Sequence, residues 1–138
     1  MRAHPSLQII SLGLICSLSS AAGCDGCAAT PEGSMLTGRH FLLDSAEGFT
    51  PVDGTRVSVR FTENGFPEGP GFGFSAGCNS HFGSYTLRDG ALVIDGLGAT
   101  EIGCDEALSS QDAWLAAFFT ASPTMALDGD QLDFRSEQ

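Results

Sequence analysis

The side chains best suited to chemistry lie close together near the middle of the chain. Cys78 and His81 are three positions apart, Ser80 and Ser84 flank the histidine, and Cys104 follows farther along. A cysteine beside a histidine can act as a nucleophile with its base, but this needs a free thiol and an acid that orients the ring. Thiolates and imidazoles are also the usual ligands of zinc. We predict no catalytic residues and no enzyme.

These residues follow a strand with an unusual composition. From Gly71 to Cys78, glycine and serine alternate with Phe72, Phe74, Ala76 and Cys78. Because side chains along a strand point to opposite faces in turn, this pattern predicts one apolar face and one nearly bare face. Glycine weakens a strand, so a bare face indicates close approach by another backbone or a sharp bend. We expect the strand to end in a turn at Gly77-Cys78-Asn79.

Other short strands surround this one, and alternation and turn residues locate them. Val57, Val59 and Phe61 alternate with polar residues in the clearest case, and Asp89-Gly90 favours a tight hairpin. We predict a break at residues 95–98. The predicted strands are 39–44, 55–62, 71–78, 83–88, 91–94, 99–104, 124–127 and 131–135.

A single helix is predicted late in the chain, from Gln111 to Phe119. Ser109 stands before it as a capping residue, with Asp112 three residues later. An apolar stripe of Ala113, Trp114, Ala117 and Phe118 follows at helical spacing. Such a helix cannot bury its stripe alone, so we expect Trp114 and Phe118 to pack on a curled, mostly antiparallel sheet. The fold class is therefore α+β, with about eight short strands and one late helix.

The N-terminus has the features of an export signal. Arg2 precedes a mostly apolar run from Leu7 to Leu18, which is shorter than the roughly 20 residues of a membrane helix. Small residues then lead to Cys24, as in a bacterial lipobox whose cysteine receives lipid. Ala21 stands where leucine is usual, so cleavage after Ala22 and simple secretion is the alternative.

These features divide the chain into a signal peptide (1–23), a tether (24–36) and one domain (37–138). The tether is small, contains glycine and proline and has no periodicity. Cys27 lies in it, and no role is assigned to this cysteine. Lipid on Cys24 would hold the domain at a membrane in the cell envelope, facing the periplasm or the exterior.

Charge excludes one class of partner. The chain has 17 acidic residues and 6 basic ones, a net charge of −11. Nucleic-acid binding requires a cationic surface, so no nucleic-acid partner is expected. Anionic lipid headgroups would repel the domain as well, so attachment would depend on the acyl chains. The acids are dispersed and favour solubility.

Two cysteines remain in the predicted domain, Cys78 and Cys104. In an exported protein they meet an oxidising compartment, and a disulfide between them would close a loop of about 27 residues. The alternative is a metal site formed with His81, which would supply three ligands where structural zinc takes four. We favour the disulfide, with no metal or cofactor and with His81 as a polar turn residue.

The chain resembles the META domain family, which includes the HslJ-like heat-shock lipoproteins of bacterial envelopes. The similarity rests on a Gly-Cys-Asn turn, an aromatic-Gly-x-Tyr strand start and a Thr-x-x-x-Cys segment before an acidic helix, Glu106 to Phe119. It covers about residues 36–135. The motif residues are Gly77, Cys78, Asn79, Phe82, Gly83, Tyr85, Thr100 and Cys104.

The resemblance implies a cracked β-barrel beside a helix, with Cys78 and Cys104 as neighbours. No catalytic residues are known for the family, whose associations are stress response, motility or secretion, and drug tolerance. This chain has Ser80-His81 where a basic residue is usual. Members also often have one more strand after the point where this chain stops, so we expect an open edge.

The residues and the resemblance together predict a non-enzymatic, monomeric envelope lipoprotein. It would act as an adaptor or binding module for an unknown envelope protein, in a role that can include stress response. The alternative is a carrier that holds an acyl chain or other apolar ligand inside the barrel, lined by Phe72, Phe74 and Phe82. Such pockets are more often simply filled by their side chains.

Overall fold

The structure is a computed structural model that describes residues 7–14 and 29–137. Cys24, Cys27 and the predicted cleavage site lie outside these residues. The elements, in chain order, are β1 (Leu7–Leu14), α1 (Gly33–Leu36), β2 (His40–Ala46), β3 (Ser58–Thr62), β4 (Gly71–Ser75), β5 (Ser80–Arg88), β6 (Ala91–Ala99), α2 (Glu106–Thr120), β7 (Thr124–Asp128) and β8 (Gln131–Glu137).

The strands from β2 to β8 form a seven-strand antiparallel sheet in sequence order, curled into a nearly closed barrel. One seam remains, between β2 and β8. β1 lies in this seam and pairs with both strands. The expected curled sheet with one late helix is therefore confirmed, and the protein is mostly β with a little helix.

The apolar faces of the strands meet inside the barrel. The predicted alternation of Val57, Val59 and Phe61 is confirmed, since each is at most 2% exposed. Helix α2 covers this core: the ring of Phe119 contacts those of Phe72, at 5.1 Å, and Phe74, at 4.8 Å between centroids. Aromatic side chains thus fill the space between the sheet and the helix.

The predicted start of the helix was wrong, and its predicted buried face was right only in part: Phe118 lies in the core and Trp114 packs against it. Helix α2 begins at Glu106, because the side chain of Asp105 accepts a hydrogen bond from the backbone N–H of Leu108 at 2.9 Å and caps it. Of the predicted stripe, Ala113 and Ala117 are exposed, Phe118 is buried and Trp114 is half-buried. The buried residues of this helix are Gln111, Asp112, Leu115, Phe118 and Phe119.

Two strand predictions were also wrong. Residues 95–98 do not interrupt the strand, and β6 continues through them. The register with β5 shifts between Phe82 and Ser84, and this irregularity accommodates the glycines of the segment. Residues 99–104 form no separate strand, since Ala99 ends β6 and the chain beyond it is irregular. The backbone of Ile102 there bonds to the side chain of Asn79 instead of to a strand.

Part of the predicted tether packs on the domain. Leu36 at the end of α1 is fully buried in the core, and Ala29 forms an isolated bridge with Leu127. Within the predicted signal peptide, Leu7–Leu14 is the strand β1; whether this segment is cleaved stays a prediction. None of the helices in the described ranges is long and apolar enough to cross a membrane.

Candidate functional site

The Gly-Cys-Asn turn is held by a network of hydrogen bonds around Asn79. Its side-chain oxygen accepts bonds from the Thr100 hydroxyl at 3.0 Å and from the Ile102 N–H at 2.8 Å. The Thr100 hydroxyl also accepts from the N–H of Ser80 at 3.1 Å. Gly77 has φ +96, a conformation that favours glycine. These motif residues therefore join the turn to the irregular segment before α2.

Gln111 fixes the other side of this turn from the helix. This buried side chain donates from its nitrogen to the carbonyl of Ala76 and, at 3.1 Å, to the hydroxyl of Thr55. Its oxygen accepts from the N–H of Val52 at 2.7 Å. The side-chain amide of Gln111 thus connects helix α2 to the Gly-Cys-Asn turn and to the loop before β3.

Asp112 and His81 form a buried pair next to the turn. One carboxylate oxygen of Asp112 accepts from the N–H of Asn79 at 2.9 Å and lies 4.0 Å from Nε2 of His81. That distance is too long for a hydrogen bond. The His81 ring stacks on Phe74, with centroids 4.4 Å apart. Burial lowers the pKa of His81, and the Asp112 carboxylate raises it in partial opposition. His81 is therefore not the polar turn residue that the sequence suggested.

Cys78 and Cys104 lie at disulfide distance, with Cα atoms 6.3 Å apart. Disulfides in proteins usually span about 4.4–6.8 Å between these atoms. Across the described part of the chain, no group of three or more His, Cys, Asp and Glu residues is placed to hold a metal ion. The thiol pair and His81 are thus not brought together as a set of ligands.

A second region lies on the outside of the barrel. A groove of about 400 Å³ runs over β3, β4 and β5, beside the loop that follows β3. Arg60, Gly73 and Phe82 are register neighbours across its floor. The groove is lined by Arg60, Thr62, Asn64, Gly65, Phe66, Gly71, Phe72, Gly73, Ser80, His81, Phe82 and Gly83. We call it the outer groove.

The bare face of β4 forms this groove. A Cβ on Gly71 would lie 2.6 Å from the carbonyl oxygen of Asn64, so the loop after β3 folds directly onto the glycine backbone. A Cβ on Gly98 would lie 3.1 Å from the ring of Phe82, which rests on that glycine. The expectation that bare positions accommodate another backbone is met at Gly71. Gly73, between the two rims, is half-buried, and a Cβ there would lie 3.1 Å from the carbonyl oxygen of His81.

Three exposed side chains give the outer groove its chemistry. Phe66 is 66% exposed and Phe82 is 46% exposed. Arg60 is exposed and has no ion pair within the described ranges, whereas Arg39 pairs with Asp130 at 2.9 Å. The groove therefore offers two rings and a free guanidinium, which suit a ligand with apolar and anionic parts. No sequence pattern singled out Phe66 or Arg60 as binding residues, although the alternation of β3 places Arg60 opposite its apolar face.

A β-barrel covered by one helix, with a hydrogen-bonded Gly-Cys-Asn turn, defines a class of small α+β domains. The family model for the META domain matches residues 34–138, and the chain belongs to this family. The fold is also that of a solved structure, the "NMR structure of the protein from Burkholderia xenovorans", at 18% identity and a TM-score of 0.52. The match covers 87% of this chain and 95% of that one. No curated protein matches the sequence.

Proposed function

We propose that this META domain is a non-enzymatic binding module of the cell envelope. In this proposal the outer groove binds a segment of another envelope protein in which an acidic side chain lies next to an apolar one. The observation that carries the proposal is Arg60, a cation without an ion pair in the described ranges, beside two exposed phenylalanine rings.

Charge complementarity supports this choice of partner. The chain has a net charge of −11, so most of its surface repels an acidic segment. Arg60 is the one strongly cationic side chain that lines the outer groove. A carboxylate beside Arg60 would form a charge-assisted hydrogen bond, and an apolar neighbour would cover Phe82.

The barrel interior favours the adaptor over the carrier. Phe72 and Phe74 are 1% and 3% exposed and pack against the helix. Phe82, the third residue expected to line an internal cavity, lies on the outside and is 46% exposed. Side chains thus occupy the place that an acyl chain would need.

The arrangement of the chemistry-bearing residues also favours a protein that is not an enzyme. Cys78 is paired with Cys104 at disulfide distance, which leaves it no free thiol when oxidised. His81 faces Phe74 and Asp112 within the fold.

We place this module at a membrane through lipid on Cys24. Metabolic labelling with a palmitate analogue is expected to mark the wild-type protein and to leave Cys24→Ala unmarked. Equal labelling of both would remove the lipid anchor from the proposal and favour the secreted form.

Selection from a displayed library of random peptides tests the binding site. Wild-type protein is expected to enrich peptides with Asp or Glu beside an aromatic or aliphatic residue. Arg60→Glu should lose these peptides, because the substitution reverses the charge at the groove. Arg88→Glu is the matched control, since Arg88 is exposed on β5 and does not line the groove. Enrichment that is unchanged in Arg60→Glu would contradict the proposal.

A further inference from the structure

The seam of the barrel is closed by the segment that the sequence predicts to be removed. β1 pairs with β8 from Leu7↔Glu137 to Gly13↔Gln131, and with β2 from Ile10↔Ala46 to Leu14↔Phe41. All of β1 lies within the predicted signal peptide, residues 1–23. In the described ranges β2 and β8 each pair with β1 and not with each other. Removing residues 1–23 would therefore expose two strand edges at once.

Neither edge can close the gap directly. Neighbouring strands are about 4.8 Å apart, so β2 and β8 stand roughly twice that distance from each other across β1. Their backbone groups would need to shift by about one strand width to pair. Exposed strand edges are sites where another chain can add a strand.

The register shows which kind of strand fits. Ile10 pairs with Phe134 and Leu12 with Leu132, and both β8 residues are fully buried. On the other side Leu14 pairs with Phe41, which is also fully buried. The buried side chains of Phe134, Leu132 and Phe41 therefore mark the core face on the two edges of the seam, and directly opposed residues share a face of a sheet. A replacement strand needs apolar residues at every second position.

We propose that the seam between β2 and β8 is a strand-binding site. Residues 7–14 occupy it in the precursor, and after their removal it takes an extended segment with alternating apolar residues from a partner protein. This inference depends on the proposed export of the protein, and it uses a surface separate from the outer groove.

A full-length chain with a protease recognition sequence inserted between residues 14 and 29 tests the site without altering the strand. The probe is a fluorescent peptide with the sequence of residues 7–14. After cleavage of the folded protein, the labelled peptide should replace the cut segment, whereas the uncut protein should bind it at least about tenfold more weakly because the site is occupied. Hydrogen exchange should show renewed protection of the β2 and β8 amides.

Three controls define the specificity. A peptide with aspartate at the positions of Ile10 and Leu12 should not bind, because it places charge on the core face. Full-length Ile10→Pro, which removes a backbone donor from the middle of β1, should bind the labelled peptide without any cleavage. Arg60→Glu should take up the strand peptide normally, and a loss there would show that the peptide binds the outer groove.

Other outcomes would overturn the inference. Equal binding to cut and uncut protein would place the peptide elsewhere. A folded, cut protein that loses its own segment and takes up no label, or that forms dimers instead, would exclude a partner strand in the seam. N-terminal sequencing of the protein from its envelope that still finds residues 7–14 would show that the site never opens.

Discussion

The Cys-Asn turn and the outer groove lie on neighbouring parts of β4 and β5, and their polar groups are used differently. At the turn, the side-chain groups of Asn79, Thr100 and Gln111 bond to other parts of the protein. In the groove, Arg60 has no ion pair in the described ranges, and two phenylalanine rings are exposed. The polar groups of the turn therefore stabilise the fold, whereas the groups in the groove are available to bind a partner.

This contrast separates what identifies the family from what would bind a partner. Asn79, Thr100 and Cys104 are the family motif, and in this structure they connect the turn to the segment before the helix. Arg60 and Phe66 belong to no motif that the sequence displayed. Substitutions in the two regions should therefore change different properties, stability in one and binding in the other.

At the turn, the largest expected effect is at the cysteine pair. Cys78→Ala with Cys104→Ala should lower the free energy of unfolding by roughly 3.5 kcal/mol, because the bridge closes a loop of about 27 residues in the unfolded chain. Denaturant unfolding of the oxidised wild type and the double variant measures this. Peptide binding at the outer groove should persist below the melting temperature. Equal stability of the oxidised and reduced wild type would show that no bridge forms.

Gln111→Ala should have the next largest effect. It removes the amide that contacts Ala76, Thr55 and Val52, and we expect a loss of about 3 kcal/mol in the free energy of unfolding. Gln111→Glu keeps an acceptor for Val52 and should lose less. The comparison of the three proteins by denaturant unfolding checks this. A change below about 0.5 kcal/mol in Gln111→Ala would remove the helix-to-turn link from the account.

At His81 we expect a smaller effect on stability, and this effect depends on pH. Burial lowers its pKa in the folded protein below the ordinary histidine value of 6.5. The unfolded chain therefore binds a proton more readily, and stability that is present above pH 6.5 should fall as the pH drops toward the lowered pKa. Melting temperatures measured across this window should fall for wild type and for His40→Gln. His81→Gln should lose this component, and an identical slope would contradict the assignment.

The smallest expected effect on stability is at the groove. Phe82→Ala should change the free energy of unfolding by less than about 0.5 kcal/mol, because the ring is 46% exposed and lies outside the core. Phe118→Ala, at a fully buried ring, is the comparison and should cost about 3–5 kcal/mol. Denaturant unfolding of both variants measures the difference. Similar losses would mean that Phe82 belongs to the core.

Simple alternation predicted most of the sheet. Val57, Val59 and Phe61 are buried as their period-two spacing indicates. The prediction of secondary structure failed at two kinds of position. In one, a polar side chain is buried; in the other, the backbone bonds to a side chain and not to a neighbouring strand. Gln111 and Asp112 are buried polar residues on α2, so helical periodicity of apolar residues could not find that face.

The candidate site was less predictable than the fold. The bare face of β4 was visible in the sequence, and it did lead to the groove. Arg60 and Phe66 line the same groove because the loop after β3 folds back onto Gly71. That return depends on tertiary packing, which local spacing does not encode.

Binding of one library-selected peptide to two variants tests the division between structure and function most directly. Titration calorimetry should show that Arg60→Glu weakens binding at least about tenfold while the melting temperature stays unchanged. Thr100→Val, which removes the hydroxyl that joins Asn79 to Ser80, should lower the melting temperature and leave the affinity unchanged in the folded protein. Unchanged affinity in Arg60→Glu, with lost affinity in folded Thr100→Val, would place the binding site at the turn and contradict the account.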